Sequence, residues 1–191
     1  YFSKAVLAAV KMVGIKPDII HTNDWHTASI NVLMDYYAKH DAFYEGIKTV
    51  FTIHNLRYQG VFDPFIMGDL LNVPYEYYHE DCLKYYDNIN ILKGGIVFSD
   101  HITTVSKSYA NEITYPYFGE NLDGIINKYK DKLTGIVNGI DYDVYNPLTD
   151  KNIPVNFDIA SIERKKEIKT HIQMKFGLPV DPEIPDRKSV V

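Results

Sequence analysis

Lys48-Thr49-Val50-Phe51-Thr52-Ile53-His54-Asn55 decides the fold. Its first six positions are nearly all β-branched or aromatic, too few for a buried helix, and the run stops abruptly at a polar pair. A short, nearly continuous apolar run is what the buried strands of parallel sheets contain. Upstream, Pro17 leads into a second short strand, Asp18-Ile19-Ile20-His21. Between the two, a helix is expected over about His26 to Lys39, with Ala28, Val32, Leu33 and Tyr36 on one stripe. Ser3 is expected to cap a helix over Lys4–Met12 that Gly14 ends. Downstream, His101-Ile102-Thr103-Thr104-Val105 reads as a third strand and Leu133-Thr134-Gly135-Ile136-Val137 as a fourth. Ser106 is placed to cap a helix running through Ile113, and Asn88 to Ser99 returns to helix despite Gly94-Gly95. Leu56 to Asp87, rich in aromatics with Gly60, Pro64, Gly68 and Pro74, reads as a structured excursion near a cleft. A last helix is expected over about Ser161 to Phe176, ahead of Gly177 and Pro179, with Arg164-Lys165-Lys166 on its solvated face. Strands alternating with helical stretches make βαβ units and a parallel α/β sheet with flanking helices.

Composition narrows the function classes. The 191 residues carry a formal net charge of −5, with 46% apolar and 24% charged residues, which excludes a disordered or fibrous chain. No apolar run approaches the roughly 20 residues needed to span a bilayer. The acidic balance, without a long basic block, argues against a nucleic-acid binder. Cys82 stands alone, so no internal disulfide framework exists and a cytoplasmic setting is expected. The opening Tyr1-Phe2 reads as the start of a piece of something longer. Sixteen tyrosines against nine phenylalanines and one tryptophan suit sugar surfaces, although half-buried tyrosines spread along helices account for the same count.

Ligands of open parallel sheets bind at the carboxyl ends of the strands. Asp24, His54, Ser106 and Asn138 each follow a strand and are expected to converge on one edge. His21, Asp24, His26 and His54 are metal-ligand types, but a strand residue and a helix residue need not point together, and no metal is expected. The chain has no Gly-x-Gly-x-x-Gly or Walker A segment and no Gly-x-Ser-x-Gly elbow.

Five blocks resemble bacterial glycogen synthases and plant starch synthases. Pro17-Asp18-Ile19-Ile20-His21-Thr22-Asn23-Asp24-Trp25-His26-Thr27 is similar to the family's PD-hydrophobic-H-x-x-DWH segment. Thr52-Ile53-His54-Asn55-Leu56-Arg57-Tyr58-Gln59-Gly60 resembles its T-[VI]-H-N-x-x-Y-Q-G. Lys93-Gly94-Gly95-Ile96, Thr103 to Ile113, and Gly135-Ile136-Val137-Asn138-Gly139-Ile140-Asp141 with Asn146-Pro147-Leu148-Thr149-Asp150 follow in the family's order.

The resemblance implies a GT-B fold, two Rossmann-like domains across a cleft, with this chain as most of the N-terminal, acceptor-side half. It implies transfer of glucose from ADP-glucose, a co-substrate rather than a cofactor, to the non-reducing 4-hydroxyl of an α-1,4-glucan with retention. By motif match His54 is the catalytic residue beside the reacting carbon. Asp24 and Asn138 line the same pocket, and Asn55 and Tyr58 hold the loop or approach the glucan. Residues 1–147 are then the partial catalytic domain, 148–185 an interdomain linker and helix, and 186–191 a non-native tail that matches a translated sequencing adaptor. The lysine- and glycine-rich phosphate loop would precede Tyr1 and the donor domain would follow, so this chain alone is expected to be inactive. The alternatives are a sucrose synthase-like transferase, a glucan-binding module using Tyr58 to Tyr86, and a metal-dependent hydrolase.

Overall fold

In chain order the first elements are α1 (Phe2–Met12), β1 (Ile19–Asn23), α2 (Asp24–Ala38), β2 (Lys48–Ile53), β3 (Val61–Phe62), β4 (Lys84–Tyr85) and β5 (Asn88–Asn90). They are followed by α3 (Ile91–Phe98), β6 (His101–Thr104), α4 (Lys107–Glu112), α5 (Asp123–Lys128), β7 (Leu133–Gly135) and α6 (Lys165–Lys175). This computed structural model describes residues 1–184. Two compact units make it up, Tyr1–Asn138 and a second that begins at Gly139. No described helix is long and apolar enough to cross a membrane.

The first unit is built on a four-stranded parallel sheet in the order β1-β2-β6-β7. Thr22, Phe51 and Ile102 stand in register across three strands, so they share one face by strand alternation. The helices α2 and α3 cover that face. Thr22 Oγ1 donates to Asn31 Oδ1 of α2 at 2.9 Å, and Asn31 Nδ2 donates to the Gly95 carbonyl of α3 at 3.3 Å. The glycine pair makes this packing possible. A Cβ at Gly95 would lie 2.8 Å from the Phe51 ring and 2.9 Å from Ala28 Cβ; one at Gly94 would lie 2.6 Å from Leu83 and 2.7 Å from Val32. Helix propensity is given up at two positions, about 1 kcal/mol each, to seat the helix on Phe51, Ala28, Val32 and Leu83, all fully buried. The opposite face is more polar: His21, Thr52 and Thr103 form a side-chain chain with 2.6 Å links, and Ile19 beside it is 57% exposed.

Several expectations change. Ser3 lies inside α1, which starts at Phe2; its hydroxyl is buried and accepts from Ser29 Oγ at 2.7 Å, so it joins α1 to α2 rather than capping. Gly14 does end α1, at φ +70°. Helix α2 starts two residues earlier than its apolar stripe indicates, at Asp24. Asn88 to Asn90 are a strand, and helix begins only at Ile91, because Asn90 Oδ1 accepts from Lys93 N at 2.9 Å and sets the N-cap there. Ser106 caps α4 as expected, accepting from Tyr109 N at 2.9 Å. The fourth strand stops at Gly135, and α5 carries too short an apolar pattern to be read from sequence. The excursion is structured as expected, with a π-helical turn (Met67–Leu71) and a 3-10 turn (Tyr75–Tyr77), and it adds an antiparallel sheet in the order β3-β5-β4. Tyr44 and Tyr77 are buried, whereas Tyr58, Tyr75, Tyr86, Tyr115 and Tyr117 are exposed and lie outside the α-helices.

In the second unit, Asn156 Nδ2 donates to the carbonyls of Pro147 and Asp150 at 3.0 and 2.7 Å. Helix α6 is anchored by Gln173, nearly fully buried, which exchanges hydrogen bonds of 2.8 and 3.2 Å with the Asp181 backbone. Lys166 pairs with Glu163 at 2.7 Å on an exposed face, as the basic cluster requires. The expected tail, 186–191, lies outside the described residues.

Candidate active site

The carboxyl ends of β1 and β2 are tied together by one carboxylate. Asp24 Oδ1 accepts from the backbone N–H of His54 at 2.8 Å and lies 3.5 Å from that of Asn55. To reach them Asp24 adopts φ +52°, a left-handed conformation that Asp and Asn tolerate better than other side chains. Its neighbour Asn23 accepts at Oδ1 from His54 Nε2 at 3.0 Å. That bond puts the proton of the neutral imidazole on Nε2 and leaves Nδ1 as an acceptor. His54 and Asn55 are exposed, at the rim of the sheet.

The loop that follows is pinned along its length. Asn55 Oδ1 accepts from Arg57 N at 3.0 Å, and Tyr109 Oη of α4 accepts from Leu56 N at 3.1 Å. Gln59 Oε1 accepts from the buried Asn90 Nδ2 at 2.6 Å, while its Nε2 donates to the Glu120 carbonyl at 2.9 Å. Gly60, at φ +63°, has to be glycine: a Cβ there would lie 2.8 Å from Trp25 Cδ2. Tyr58 projects from this braced loop, 63% exposed, over a groove of about 460 Å³ that Trp25, Arg57, Glu120 and Asn121 also line.

The other two strand ends adjoin. The Ile136 N–H donates to the Thr104 carbonyl at 2.8 Å, and Gly135 packs against the Ser106 backbone too closely for any side chain. Thus Asp24, His54 and Asn55 meet directly, Tyr58 shares their loop, and Ser106 and Asn138 follow the neighbouring strands on the same edge. Among the described residues Asn138, which is exposed, shares no hydrogen bond with the other four candidates. Sequence reasoning missed Asn23, Gln59, Asn90 and Tyr109 as supports. The offset of three from Asn90 to Lys93 was the one readable sign, a capping spacing hidden inside an apolar stretch.

Two lysines near the site's scaffold have their charge disfavoured by burial. Lys93 donates to the carbonyls of Glu80 and Lys84, both at 2.6 Å, and burial lowers its pKa. Lys132 donates to the carbonyls of Val97 and Ser99 at the end of α3, at 3.0 and 2.6 Å, and burial lowers it to about 8. The His and Asp residues of metal-ligand type have other neighbours. His21 bonds Thr52, His26 lies 4.2 Å from Trp25 ring to ring, and Asp24 holds the His54 amide. Among the described residues no group of three or more His, Cys, Asp or Glu side chains is placed to hold a metal ion.

A family model described as the starch synthase catalytic domain matches residues 1–128. The chain belongs to the starch synthase catalytic domain family. Among relatives, it is 50% identical over 185 residues to a glycogen synthase of Bacillus cereus (strain ZK / E33L), covering 97% of this chain and 39% of that protein. It is 51% identical to a glycogen synthase of Caldicellulosiruptor bescii, covering 96% and 39%. Among solved structures, the catalytic domain of starch synthase IV from Arabidopsis thaliana bound to ADP and acarbose aligns with a TM-score of 0.79 and 34% identity, covering 94% of this chain and 37% of that one. The chain therefore spans 39% of the length of the curated relatives it matches. The parallel sheet with flanking helices is that of a GT-B glycosyltransferase of the starch synthase family, as the resemblance implied.

Proposed function

We propose that these residues form the acceptor side of a retaining glucosyltransferase that moves glucose from ADP-glucose to the non-reducing end of an α-1,4-glucan. The observation that carries the reading is the Asp24–His54 junction, a histidine fixed at the rim of a parallel sheet by a carboxylate and an amide from the neighbouring strand. The relative that shares this fold binds ADP and acarbose, a nucleotide and a glucan mimic. In this reading His54 is the catalytic residue, touching the transferred glucose near its reacting carbon, with Nδ1 turned to a sugar hydroxyl. Asp24 sets its position, and Asn138 completes the pocket. Asn55 shapes the loop and Tyr58 offers the glucan an aromatic face. Glycosyl transfer passes through an oxocarbenium-like state, and a site with pre-positioned donors and acceptors stabilises it without reorganising. ADP-glucose is a co-substrate and no cofactor or metal takes part. The donor-binding domain completes the reaction, so these residues alone do not turn over. The cytoplasm, where a lone cysteine stays reduced, is the proposed compartment, with neither nucleic acid nor membrane as partner.

The test places residues 1–184 in the matching stretch of the Bacillus cereus glycogen synthase and follows labelled glucose from ADP-glucose into glycogen. Growth of the non-reducing ends, with one ADP released per glucose, is expected. A folded chimaera that binds glucan without transferring supports a binding module instead, and transfer to fructose supports the sucrose synthase-like alternative.

A further inference from the structure

Tyr86 is an aromatic residue in the wrong place for local structure. It occupies the first position of the two-residue turn, Tyr86-Asp87, that joins β4 to β5, and its φ is +54°. A hairpin position with positive φ favours Gly, Asn or Asp, and a bulky side chain there strains the backbone. The ring gains little burial in return: it is 69% exposed and touches Tyr85 edge-on, at 4.8 Å and 78°. Glu120 and Asn121 are also left-handed, at φ +48° and +63°. Three of the five non-glycine residues at positive φ among the described residues therefore line two adjoining grooves.

The first groove is the one beside Tyr58. The second, of about 400 Å³, is lined by Glu80, Lys84, Tyr86 and Lys93, and it shares Tyr85 and Asn121 with the first. Each of its charged side chains is already engaged within the protein. Lys84 pairs with Glu80 at 2.8 Å, and the Lys93 ammonium is held by two backbone carbonyls. A free anion there would face Glu80, and a free cation would face Lys84 and Lys93. An exposed aromatic face beside paired charges and a side-chain amide suits a neutral polyhydroxyl ligand.

We propose that the two grooves form one track for an α-1,4-glucan, and that Tyr86 is a distal platform engaged only by chains long enough to cross the Tyr85–Asn121 rim. The occupant follows from continuity with the Tyr58 groove, so the inference rests on the glucan-acceptor reading above. It adds to that reading a dependence of affinity on chain length. The strained turn is retained because it presents the ring.

The chain's single tryptophan, Trp25, lines the first groove and reports on it by fluorescence. The test titrates the 191-residue chain with maltotriose and with maltoheptaose. The wild type binds both, the longer sugar more tightly. Tyr86→Ala weakens maltoheptaose about tenfold and leaves maltotriose unchanged, whereas Tyr58→Ala weakens both. Tyr86→Gly, which relieves the turn, raises the unfolding midpoint and still loses the long-chain preference; that pairing separates a platform from a structural residue. Unchanged maltoheptaose affinity in Tyr86→Ala, or an equal loss for both sugars, overturns the track while leaving the Tyr58 groove intact. A wild type that binds neither sugar overturns the acceptor reading and the track with it.

Discussion

Replacing Asp24 probes both the fold and the site, because one side chain does two jobs there. Its Oδ1 accepts from the His54 amide at 2.8 Å, and its backbone stands at φ +52°. A hydrogen bond to a charged group contributes about 1.5–3 kcal/mol, and the half-exposed setting places this one at about 1.5. A residue with an ordinary Cβ adds about 1 kcal/mol in the left-handed region, which glycine escapes. Asp24→Asn keeps the acceptor and the conformational tolerance but loses the charge, and should cost about 0.5–1 kcal/mol. Asp24→Gly loses the bond alone, about 1.5. Asp24→Ala loses the bond and strains the backbone, about 2.5. At roughly 2–4 °C per kcal/mol for a chain of this size, Ala should lower the unfolding midpoint by about 5–10 °C, Gly by about 3–6 °C and Asn by about 1–4 °C. Trp25, next in sequence, reports the transition by fluorescence. If the three variants melt together, or Ala is no worse than Gly, the junction is not what holds the two strand ends.

Other consequences are as direct. Gly60→Ala combines a positive φ with a Cβ that would lie 2.8 Å from Trp25 Cδ2 and closer still to Cε3 of the same ring, so it should destabilise by about 2–3 kcal/mol in denaturant unfolding and shift Trp25 fluorescence. Asn90→Ala removes the cap of α3 and leaves the half-buried Gln59 Oε1 without its 2.6 Å donor; a loss of about 2–4 kcal/mol is expected, with Asn90→Asp, which keeps the cap, intermediate. Lys132 titrates near 8 in the folded chain against 10.5 when unfolded. The unfolded state therefore binds more protons between those values, and this group's contribution to stability rises as pH increases from about 8 to 10. Denaturant midpoints across that range should show the rise in the wild type and lose it in Lys132→Met.

The sheet was legible because its signals are local. The β-branched run at Lys48–Ile53 became β2 with the same boundaries, and Ser106 capped the helix its spacing assigns. The carboxyl-edge argument also held at the level of backbone, since β1, β2, β6 and β7 are neighbours and their ends adjoin. What stayed hidden depends on partners distant in sequence. Asn88–Asn90 reads as helix until Val61 and Lys84 supply strands on either side of it. Ser3 reads as a cap until Ser29 buries it. Gln59 and Tyr109 became supports of the His54 loop only when Asn90, Glu120 and Leu56 were brought to them. Nor does any local pattern announce Asp24 or Tyr86 as left-handed, since the first is imposed by the His54 amide its carboxylate reaches and the second by the β4–β5 pairing that closes a two-residue turn.

The claim that matters most is that the histidine held at the β1–β2 junction faces the reacting sugar. In the Bacillus cereus chimaera, His54→Ala should lower kcat with ADP-glucose by about a hundredfold or more, the scale of losing one positioned transition-state contact. The KM for glycogen should change by less than threefold. A variant that retains its fold and turns over within threefold of the parent chimaera would contradict the assignment.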